Sequence, residues 1–367
     1  MKGLNMANKK VLLGMSGGVD SSVSAVLLKQ AGYEVIGATM ILWEGCNLST
    51  VEDAKRVCEK LGIQHYTIHC EEKFKKHVIN NFIKCYNNAQ TPNPCVECNK
   101  YLKFGAFFEK AKELGCEYVA TGHYAKIKWN DKYNQYVLTK SKSETKDQSY
   151  FLYQISQDIL PKILYPLEDF TDKTEIRKIA EENGLIVAKK KDSQEVCFIP
   201  DNDYVNFLQK NGSSNEKTGN LVLKSGEILG KHKGLIHYTV GQRKGLGIAY
   251  KEPLYVLKLD NERNEVIVGI EKDLYENTLY AKDLNFLIKE IDLTKPIEVM
   301  AKIRYRSVPA KATLEVMNNN NEKIAKLEFK EPQRAITPGQ SVVLYLDDIV
   351  LGGGKICQEQ NFVNDID

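Results

Sequence analysis

One glycine-rich segment of this 367-residue chain has the composition of a nucleotide-binding turn. It spans Gly14–Ser22 (GMSGGVDSS), follows the apolar run Val11–Leu13 and precedes a helical pattern that stops at Gly32. Glycines let a backbone turn tightly and approach a ligand closely, and a helix N-terminus attracts phosphate. Because the segment lacks the Gly-Lys-Ser/Thr ending of a P-loop, it predicts a different phosphate-binding turn, with an ordinary strand-to-helix turn as the alternative.

Cysteines in two further segments could supply a nucleophile. The stretch Thr91–Asn99 (TPNPCVECN) holds two prolines, which keep a backbone extended, and two cysteines at CxxC spacing. We expect a helix to begin near Asn99, so that its N-terminus and two nearby lysines lower the pKa of Cys98. CxxC spacing also suits a metal or a redox pair, but a closed zinc site needs a second pair of ligands and no second CxxC exists. Another thiol, Cys197, follows the lysine run 189–191, which is otherwise typical of a solvated face.

The elements that must position these residues alternate between strand and helix patterns from residue 9 to about 122. Alternation of this kind predicts a parallel, doubly wound sheet, whose ligands lie beyond the carboxyl ends of its strands. Met40 ends the second strand and would flank an adenine there, with a core methionine as the alternative. Gly122 follows the fourth strand and would admit a nucleotide, whereas His123 beside it also suits a buried, satisfied histidine. A hairpin is expected over residues 125–141 and a helix over Asp147–Ile155.

The second half of the chain changes character. Beyond Asn211–Asn215, which predicts a linker, short strand patterns such as Ile236–Gly241 replace helices and predict one or two barrel-like β units. Alternation along a strand would place Lys302, Arg304 and Arg306 on one face, with an aromatic residue between them. Cations beside an aromatic suit phosphate and base contacts, and a solvated edge strand is the alternative.

Composition narrows the class of protein. Apolar residues make up 43% and charged residues 27%, which is typical of a globular chain, and a net charge of +3 does not by itself announce nucleic-acid binding. No run approaches the roughly 18 apolar residues of a membrane helix. Nine cysteines in a chain of this length suggest reduced thiols, so we expect a cytoplasmic protein without a membrane anchor.

Seven motifs then occur in one order, and the resemblance that they carry runs from about residue 9 to residue 355. They are the glycine-rich loop, TPNPxxxCN from Thr91, TGHYA from Thr121, KDQSYFL from Lys146, DSxxxCF from Asp192, GQRxGLG from Gly241 and RYR from Arg304. Together they resemble the bacterial tRNA-specific 2-thiouridylases of the PP-loop ATPase superfamily, which thiolate the wobble uridine, position 34, of tRNA. The first motif is similar to that superfamily's pyrophosphate loop (PP-loop), SGGxDS.

The resemblance implies a multidomain architecture that combines α/β and β folds. A doubly wound, parallel-sheet PP-loop domain is expected over residues 1–210, a small central β-rich domain over 211–275 and a C-terminal β-barrel over 276–367. All of them would hold tRNA.

The resemblance also assigns roles to individual residues. The ATP positions fall on Gly14, Met15, Ser16, Gly17, Gly18, Val19, Asp20, Ser21, Met40 and Gly122. The nucleophile falls on Cys98 and the persulfide-bearing cysteine on Cys197, and no residue is assigned to a resident metal. The tRNA contacts fall on Asn93, Pro94, Cys95, His123, Lys146, Asp147, Gln148, Arg304, Tyr305 and Gln340, of which the first three would meet the target base. Many family members have Asp where Cys95 stands, so this chain carries a third thiol there.

The implied chemistry solves a leaving-group problem, because oxide leaves a uracil carbonyl poorly. ATP, with Mg²⁺ held partly by Asp20, would adenylate O2 so that AMP departs and pyrophosphate is released. Sulfur from a Cys197 persulfide would attack C2, directly or after release as hydrosulfide, and Cys98 would then form a disulfide with Cys197. An iron–sulfur cluster on Cys95, Cys98 and Cys197 is the alternative route to the same product.

Two other classes of function are alternatives on the residues alone. A small-molecule ATP ligase of the argininosuccinate-synthetase type shares the SGGxDS loop but needs neither paired thiols nor a basic β-rich half. A non-catalytic RNA-binding protein would not need the loop. The expected partners are tRNAs of the Lys, Glu and Gln type and a persulfide-donating sulfur carrier or cysteine desulfurase, with the chain itself a monomer.

Overall fold

Three sheets organise the protein, whose computed structural model describes residues 9–43, 45, 48–190, 196–199, 201–213, 217–319 and 322–358. The strands are β1 Lys10–Gly14, β2 Glu34–Ile41, β3 Gln64–His69, β4 Tyr118–Ala120, β5 Lys126–Asn130, β6 Gln135–Thr139, β7 Ile163–Leu164, β8 Gly219–Leu223, β9 Ile228–His232, β10 Tyr255–Asp260, β11 Glu265–Gly269, β12 Tyr275–Phe286, β13 Ile297–Lys302, β14 Ala310–Asn319, β15 Glu322–Arg334, β16 Ser341–Leu346 and β17 Ile349–Cys357. The α-helices are α1 Val19–Gln30, α2 Leu48–Leu61, α3 Glu71–Phe74, α4 Asn80–Asn87, α5 Pro94–Cys98, α6 Phe107–Glu113, α7 Lys173–Glu182 and α8 Tyr204–Lys210.

The first sheet is parallel, in the order β3-β2-β1-β4-β7, as the alternating pattern predicted. Helices α1, α2 and α7 cover one face, where Val11 and Leu13 point, and α6 covers the other, where Leu12 points. All three side chains are fully buried. A strand buried on both faces needs a continuous apolar run, and this explains the sequence of β1.

Two long helical stretches contain π-helical segments. The π segment Lys75–Ile79 joins α3 to α4, and Asn99–Ala106 joins α5 to α6. The expectation that the second stretch begins near Asn99 was wrong, because it begins at Pro94. Proline suits the first turn of a helix, since the N–H that it lacks would have no partner there.

The C-terminal part of the chain closes into a six-stranded barrel, β12-β15-β14-β13-β16-β17, in which β17 pairs back with β12. Closure depends on the glycines of β17, because a Cβ on Gly352 would lie 2.2 Å from the carbonyl oxygen of Asn285. The predicted hairpin is present as β5 and β6, and it extends this barrel sheet through the pairing of Thr139 with Ile349. The PP-loop part of the chain therefore shares a sheet with the barrel.

A four-stranded sheet, β10-β11-β8-β9, forms the small unit between these parts. Ile236–Gly241 is not a strand as predicted, because a 3₁₀ turn, Leu235–His237, begins the segment. The helix predicted over Asp147–Ile155 is also wrong, since only the 3₁₀ turn Ser149–Phe151 forms there. Tyr150 is fully buried against the barrel, so tertiary packing overrides local helical preference.

The predicted three-part fold, with a parallel PP-loop sheet, a central β unit and a C-terminal barrel, is thus confirmed. The boundaries at residues 210 and 275 stay a prediction, and residues 214 and 215 of the expected linker lie outside the described residues. Within the described ranges, no helix has the length and apolar character to cross a membrane.

Candidate active site

The glycine-rich loop, Met40 and Gly122 meet at one edge of the parallel sheet. They stand at the carboxyl ends of β1, β2 and β4, which are neighbours in the sheet. Met40 packs against clusters on the α6 side of the sheet. A Cβ on Gly122 would lie 3.0 Å from the backbone nitrogen of Ser21, so a larger residue would crowd the start of α1. The structure therefore brings the predicted ATP residues together.

Hydrogen bonds from its own serines hold the glycine-rich loop in the conformation that we call the phosphate cradle, formed by residues 16–21. The Ser16 backbone N–H donates to Ser21 Oγ at 3.2 Å, and Ser21 Oγ donates to the Gly18 carbonyl at 3.2 Å. Gly17 has φ +65°, and a Cβ there would lie 2.2 Å from the carbonyl oxygen of Thr50. Backbone N–H groups at the start of the 12-residue α1 make this an anion-binding position.

The loop residues divide into those that face the cradle and those that build the core. Met15 and Val19 are buried to 2% and 3% exposure and pack beneath the sheet. Their side chains cannot reach a ligand, so only their backbone atoms can serve the predicted ATP role. Gly14 ends β1, and Gly18 is the N-cap of α1.

Asp20 holds two partners from distant parts of the chain. Tyr124 Oη donates to Asp20 Oδ1 at 3.0 Å, and Lys173 Nζ lies 2.5 Å from Oδ2. A second cation, Lys190, donates to the Gly17 carbonyl at 2.9 Å and to the Asp53 carboxylate at 2.7 Å. Two ammonium groups thus border the phosphate cradle, where they can neutralise the negative charge of a nucleotide.

The two α5 cysteines differ in environment. Cys95 is exposed, whereas Cys98 is 8% exposed and packs with Leu102 and Phe74. Burial raises the pKa of the Cys98 thiol to about 11, although Lys103 opposes the rise. The expectation of a lowered pKa was wrong in this conformation, because the helix starts at Pro94 and desolvation outweighs the nearby cations.

Cys197 is exposed, and the two residues after it anchor its segment. Phe198 and Ile199 are buried in the same cluster that contains Cys98, and Met40 packs against that cluster. One apolar cluster therefore connects the nucleotide edge of the sheet to both predicted catalytic thiols. The motif residues Asp192 and Ser193 lie outside the described residues.

The described cysteines form no disulfide, and no three His, Cys, Asp or Glu side chains among the described residues are grouped to hold a metal. Cys95, Cys98 and Cys197 are all described, so this conformation does not gather them as cluster ligands. The iron–sulfur alternative would need a rearrangement of the Cys197 segment.

Gln340, a predicted tRNA contact, ties the barrel to the TPNP segment. Its amide nitrogen donates to the carbonyls of Thr91 and Pro92, each at 3.0 Å. The Thr91 N–H donates in turn to the Pro338 carbonyl at 2.9 Å. These bonds fix the entry to α5, where Asn93 is the N-cap and Pro94 the first residue.

The predicted tRNA contacts Lys146, Asp147 and Gln148 differ in how deeply they are buried. Asp147 is buried, and its carboxylate accepts from the Ser149 hydroxyl at 2.7 Å and the Ser141 N–H at 2.9 Å. Gln148 accepts from the Tyr124 N–H at 3.0 Å, and Lys146 is half-buried. The arrangement makes Asp147 a structural group of the loop and leaves Lys146 as the cation able to face a phosphate.

His123 is 8% exposed, and both ring nitrogens have neighbours. Nδ1 lies 2.7 Å from Thr121 Oγ1, and Lys103 Nζ lies 3.4 Å from Nε2. Since an ammonium only donates, Nε2 accepts and the ring is neutral. Burial, with Lys103, lowers the pKa of His123 well below its usual value. The buried-histidine interpretation fits this environment, and contact with tRNA stays a prediction.

The expectation that Lys302, Arg304 and Arg306 share a strand face was wrong, because β13 ends at Lys302 and a turn follows. Arg304 instead donates to the Ala335 carbonyl and the Thr337 hydroxyl. The Tyr305 ring lies 4.5 Å from the Phe151 ring, between centroids, and 5.5 Å from Lys302 Nζ. The turn therefore joins the barrel to the KDQSYFL segment.

Comparison with known proteins decides the family. Residues 9–201 match a family model described as tRNA methyl transferase HUP domain, residues 205–270 its PRC-barrel domain, and residues 276–356 an aminomethyltransferase beta-barrel domain. The chain is 49% identical over 360 residues to the tRNA-specific 2-thiouridylase MnmA of Clostridioides difficile, covering 95% of this chain and 98% of that relative. It is 51% identical over 359 residues to the tRNA-specific 2-thiouridylase MnmA of Clostridium beijerinckii, with the same coverage.

This chain belongs to the tRNA-specific 2-thiouridylase family.

Membership in the 2-thiouridylase family confirms the predicted family and enzyme class, a sulfurtransferase. Among solved structures, the U34-tRNA thiolase NcsA from Methanococcus maripaludis, with its [4Fe-4S] cluster, aligns with 21% identity and a TM-score of 0.34. That alignment covers 56% of this chain and 68% of NcsA.

Sequence reasoning missed several groups that this 2-thiouridylase family member places at its site. Tyr124 lies within a recognised motif but was not given a role, and Lys173 lies outside all seven motifs. Lys190 was noted only as part of a lysine run. A cation near the start of a helix carries no spacing signal, so contact with a loop 153 positions away was not predictable.

Proposed function

We propose that this protein catalyses ATP-dependent 2-thiolation of uridine 34 in tRNA, with release of AMP and pyrophosphate. One observation carries the proposal. The cluster that seats Cys98 also seats Phe198 beside Cys197, and Met40 at the nucleotide edge packs against it. A nucleotide site and two thiols on one cluster are what activation of a carbonyl followed by sulfur delivery requires.

The loop residues support the activation step. The start of α1 binds the β and γ phosphates, and the ammonium groups of Lys173 and Lys190 offset their charge. With the phosphates held, uracil O2 attacks the α phosphate, and the bond to pyrophosphate breaks. The adenylated oxygen becomes the leaving group on C2, and it departs as AMP when sulfur adds to that carbon.

Asp20 is the residue that would hold Mg²⁺. Its carboxylate lies at the cradle and is shared with Tyr124 and Lys173, and carboxylate oxygens suit a hard cation. The ion would supply charge neutralisation for the departing pyrophosphate, and Lys173 would exchange its Asp20 contact for a phosphate oxygen.

The two thiols support the sulfur step. The outer sulfur of a Cys197 persulfide attacks C2 directly, or it does so as hydrosulfide, which is released when the Cys98 thiolate attacks Cys197 Sγ and forms the disulfide first. In the direct route, the Cys98 thiolate then attacks Cys197 Sγ, the persulfide bond breaks, and its electron pair stays on the sulfur bound to C2. A Cys98–Cys197 disulfide remains, and an outside thiol reductant must reduce it.

The barrel and the KDQSYFL segment support tRNA binding. The predicted contacts Asn93, Pro94, Gln340, Lys146 and Tyr305 lie on segments that are fastened to one another by hydrogen bonds and ring contacts. We assign the tRNAs of the Lys, Glu and Gln type as substrates and a persulfide-donating protein as the sulfur source, with the enzyme acting as a monomer.

The test replaces the thiols one at a time. Cys98→Ala and Cys197→Ala should each abolish 2-thiouridine formation while retaining ATP and tRNA binding, and Cys116→Ala, a half-buried thiol remote from the cluster, should keep activity. Full activity in either of the first two variants would contradict the scheme. An iron-containing, coloured enzyme whose activity depends on the iron would instead favour the cluster on Cys95, Cys98 and Cys197.

A further inference from the structure

Cys98 acts in the sulfur step proposed above, but its pairing with Cys95 at CxxC spacing has no role there, although the spacing suits a disulfide. Both residues belong to α5, and the backbone N–H of Asn99 bonds back to the carbonyls of Cys95 and Val96. Helical residues three apart have Cα atoms about 5 Å from each other. A disulfide needs a Cα separation of roughly 4.4–6.8 Å, so the helical spacing allows a bond between the two sulfurs once their side chains rotate toward each other.

The two thiols differ in exposure, as do the buried and the reductant-accessible thiol of a redox pair. Cys98 is 8% exposed within an apolar cluster, and Cys95 is exposed to solvent. A bulky reductant cannot reach a sulfur buried in this way, whereas an exposed residue one helical turn away can be reached.

The base of α5 is fixed, so the two thiols keep this relation. Gln340 holds the preceding residues through the Thr91 and Pro92 carbonyls. Glu97, itself 8% exposed, pairs with Lys355 of the barrel at 2.8 Å. The backbone of α5 is therefore held in place, with Cys95 and Cys98 one helical turn apart on it.

We propose that Cys95 is the resolving thiol of this enzyme, which moves the disulfide from Cys98–Cys197 to Cys95–Cys98. The inference rests on the proposed function, since that function generates the Cys98–Cys197 disulfide.

The exchange is balanced in atoms and electrons. Cys95 loses its proton to solvent, and its thiolate attacks Cys98 Sγ. A Cys95–Cys98 bond forms, the Cys98–Cys197 bond breaks, and the electron pair leaves on Cys197 Sγ, which takes up a proton. There is no net oxidation, and a dithiol reductant later reduces the exposed Cys95–Cys98 disulfide.

This step frees Cys197 early. The exposed Cys197 thiol can then accept its next sulfur while the disulfide remains between Cys95 and Cys98. Among the other described cysteines, Cys70 also belongs to the Cys98 cluster, but it is 3% exposed and offers no route to solvent. Cys70→Ala is therefore the matched control for loss of a neighbouring thiol.

The first experiment maps disulfides after one turnover. The full-length enzyme, loaded with persulfide, is mixed with ATP and unmodified tRNA without reductant, quenched with acid, alkylated and analysed by peptide mass spectrometry. For each 2-thiouridine formed, the wild type and Cys70→Ala should yield one Cys95–Cys98 disulfide and an alkylated Cys197. Cys95→Ser and Cys95→Asp should yield Cys98–Cys197 instead.

Continued turnover with a limiting dithiol gives a second readout. The ratio of later turnovers to the first should fall about tenfold in Cys95→Ser, because an intramolecular exchange is replaced by a slower bimolecular one. A wild-type enzyme that accumulates mainly Cys98–Cys197 would overturn the inference and leave the proposed function standing. Absence of 2-thiouridine in every protein would overturn the proposed function and the inference with it.

An activity-independent arm uses redox buffers of reduced and oxidised dithiothreitol without tRNA or ATP. A Cys95–Cys98 disulfide should form reversibly in the wild type and in Cys70→Ala. Failure to form it at any buffer ratio would overturn the pairing whatever the enzyme does with tRNA.

Discussion

Lys173 and Asp20 form an ion pair at the pyrophosphate loop, with Nζ 2.5 Å from Oδ2 and side-chain exposures of 16% and 29%. Lys173 is the first residue of α7, whose N-cap Asp172 accepts from the Thr174 N–H at 2.6 Å. The pair therefore fixes a cation beside the phosphate cradle.

Replacement of this cation should weaken nucleotide binding. Lys173→Met removes a charge-assisted contact to phosphate, worth about 1.5–3 kcal/mol, so the Kd for Mg·ATP should rise roughly tenfold to a hundredfold. Isothermal titration with ATP and with inorganic pyrophosphate measures the change, and AMP alone should bind with little change.

The control for this prediction lies on the same helix. Lys178 is exposed and pairs with Glu182 at 3.8 Å, away from the loop, so Lys178→Met should bind ATP normally. Unchanged pyrophosphate affinity in Lys173→Met would remove Lys173 from the proposed phosphate site.

Loss of Gln340 should loosen the join between the barrel and the TPNP segment. Gln340→Ala leaves the Thr91 and Pro92 carbonyls without their donor, and we expect destabilisation of about 1–3 kcal/mol. Thermal unfolding measures the loss, and the KM for tRNA should rise while the Kd for ATP does not. Gln333→Ala, which removes only a local bond to the Glu331 carbonyl, is the control, and equal effects in both variants would argue against a specific join.

His123 should make the protein sensitive to acid. Its pKa in the folded protein lies well below 6.5, mainly because the ring is buried. Below about pH 6.5, this histidine therefore takes up a proton in the unfolded chain but stays neutral in the folded chain. The stability contributed by the neutral ring is present above about pH 6.5 and falls below it by about 1.4 kcal/mol per pH unit.

The measurement compares the wild type with His123→Gln between pH 7 and pH 5. The gap in unfolding midpoint should narrow as pH falls, because the variant lacks this proton uptake. A pH-independent gap for His123→Gln would show that the buried ring titrates normally.

Cys98 should react slowly with an alkylating agent in the ligand-free enzyme. A pKa of about 11 leaves a thiolate fraction at pH 7.5 that is roughly three-hundredfold below that of an ordinary cysteine. Peptide mass spectrometry after brief iodoacetamide treatment should show Cys197 and Cys95 modified before Cys98. Labelling of Cys98 should rise about tenfold per pH unit up to its pKa, and rapid labelling at pH 7.5 would contradict a buried thiol.

The slow reactivity has a consequence for the mechanism. Cys98 in this conformation is a thiol, so the sulfur step requires a change in its surroundings, such as a shift of the Cys197 segment or a cation brought nearer. Addition of ATP and tRNA should therefore accelerate alkylation of a persulfide-free enzyme at Cys98.

The sequence predicted those parts of the site in which residue spacing itself creates the geometry. Gly17 must adopt φ +65° beside the Thr50 carbonyl, and Gly122 must approach α1; both follow from a strand, a glycine and a helix in order. The strand β17 was missed because Gly352, Gly353 and Gly354 are poor strand formers, and only barrel closure shows why a side chain would not fit.

Contacts between segments that are far apart in the sequence could not be predicted from the residues around either segment. Nothing near Lys173 indicates Asp20, and nothing near Gln340 indicates Pro92. The pKa of Cys98 was misjudged for a related reason, because nearby lysines are visible in a sequence whereas desolvation by Phe198 and Leu102 depends on packing.

The central claim is that ATP cleavage activates a tRNA base for sulfur transfer. The most direct measurement quantifies AMP, pyrophosphate and 2-thiouridine together, with persulfide-loaded enzyme and unmodified tRNA in a single turnover. We expect the three products in equal amounts, with the sulfur at position 34 and no AMP when that uridine is replaced by cytidine. AMP formation that ignores the tRNA, or tight tRNA binding without any 2-thiouridine, would contradict the account.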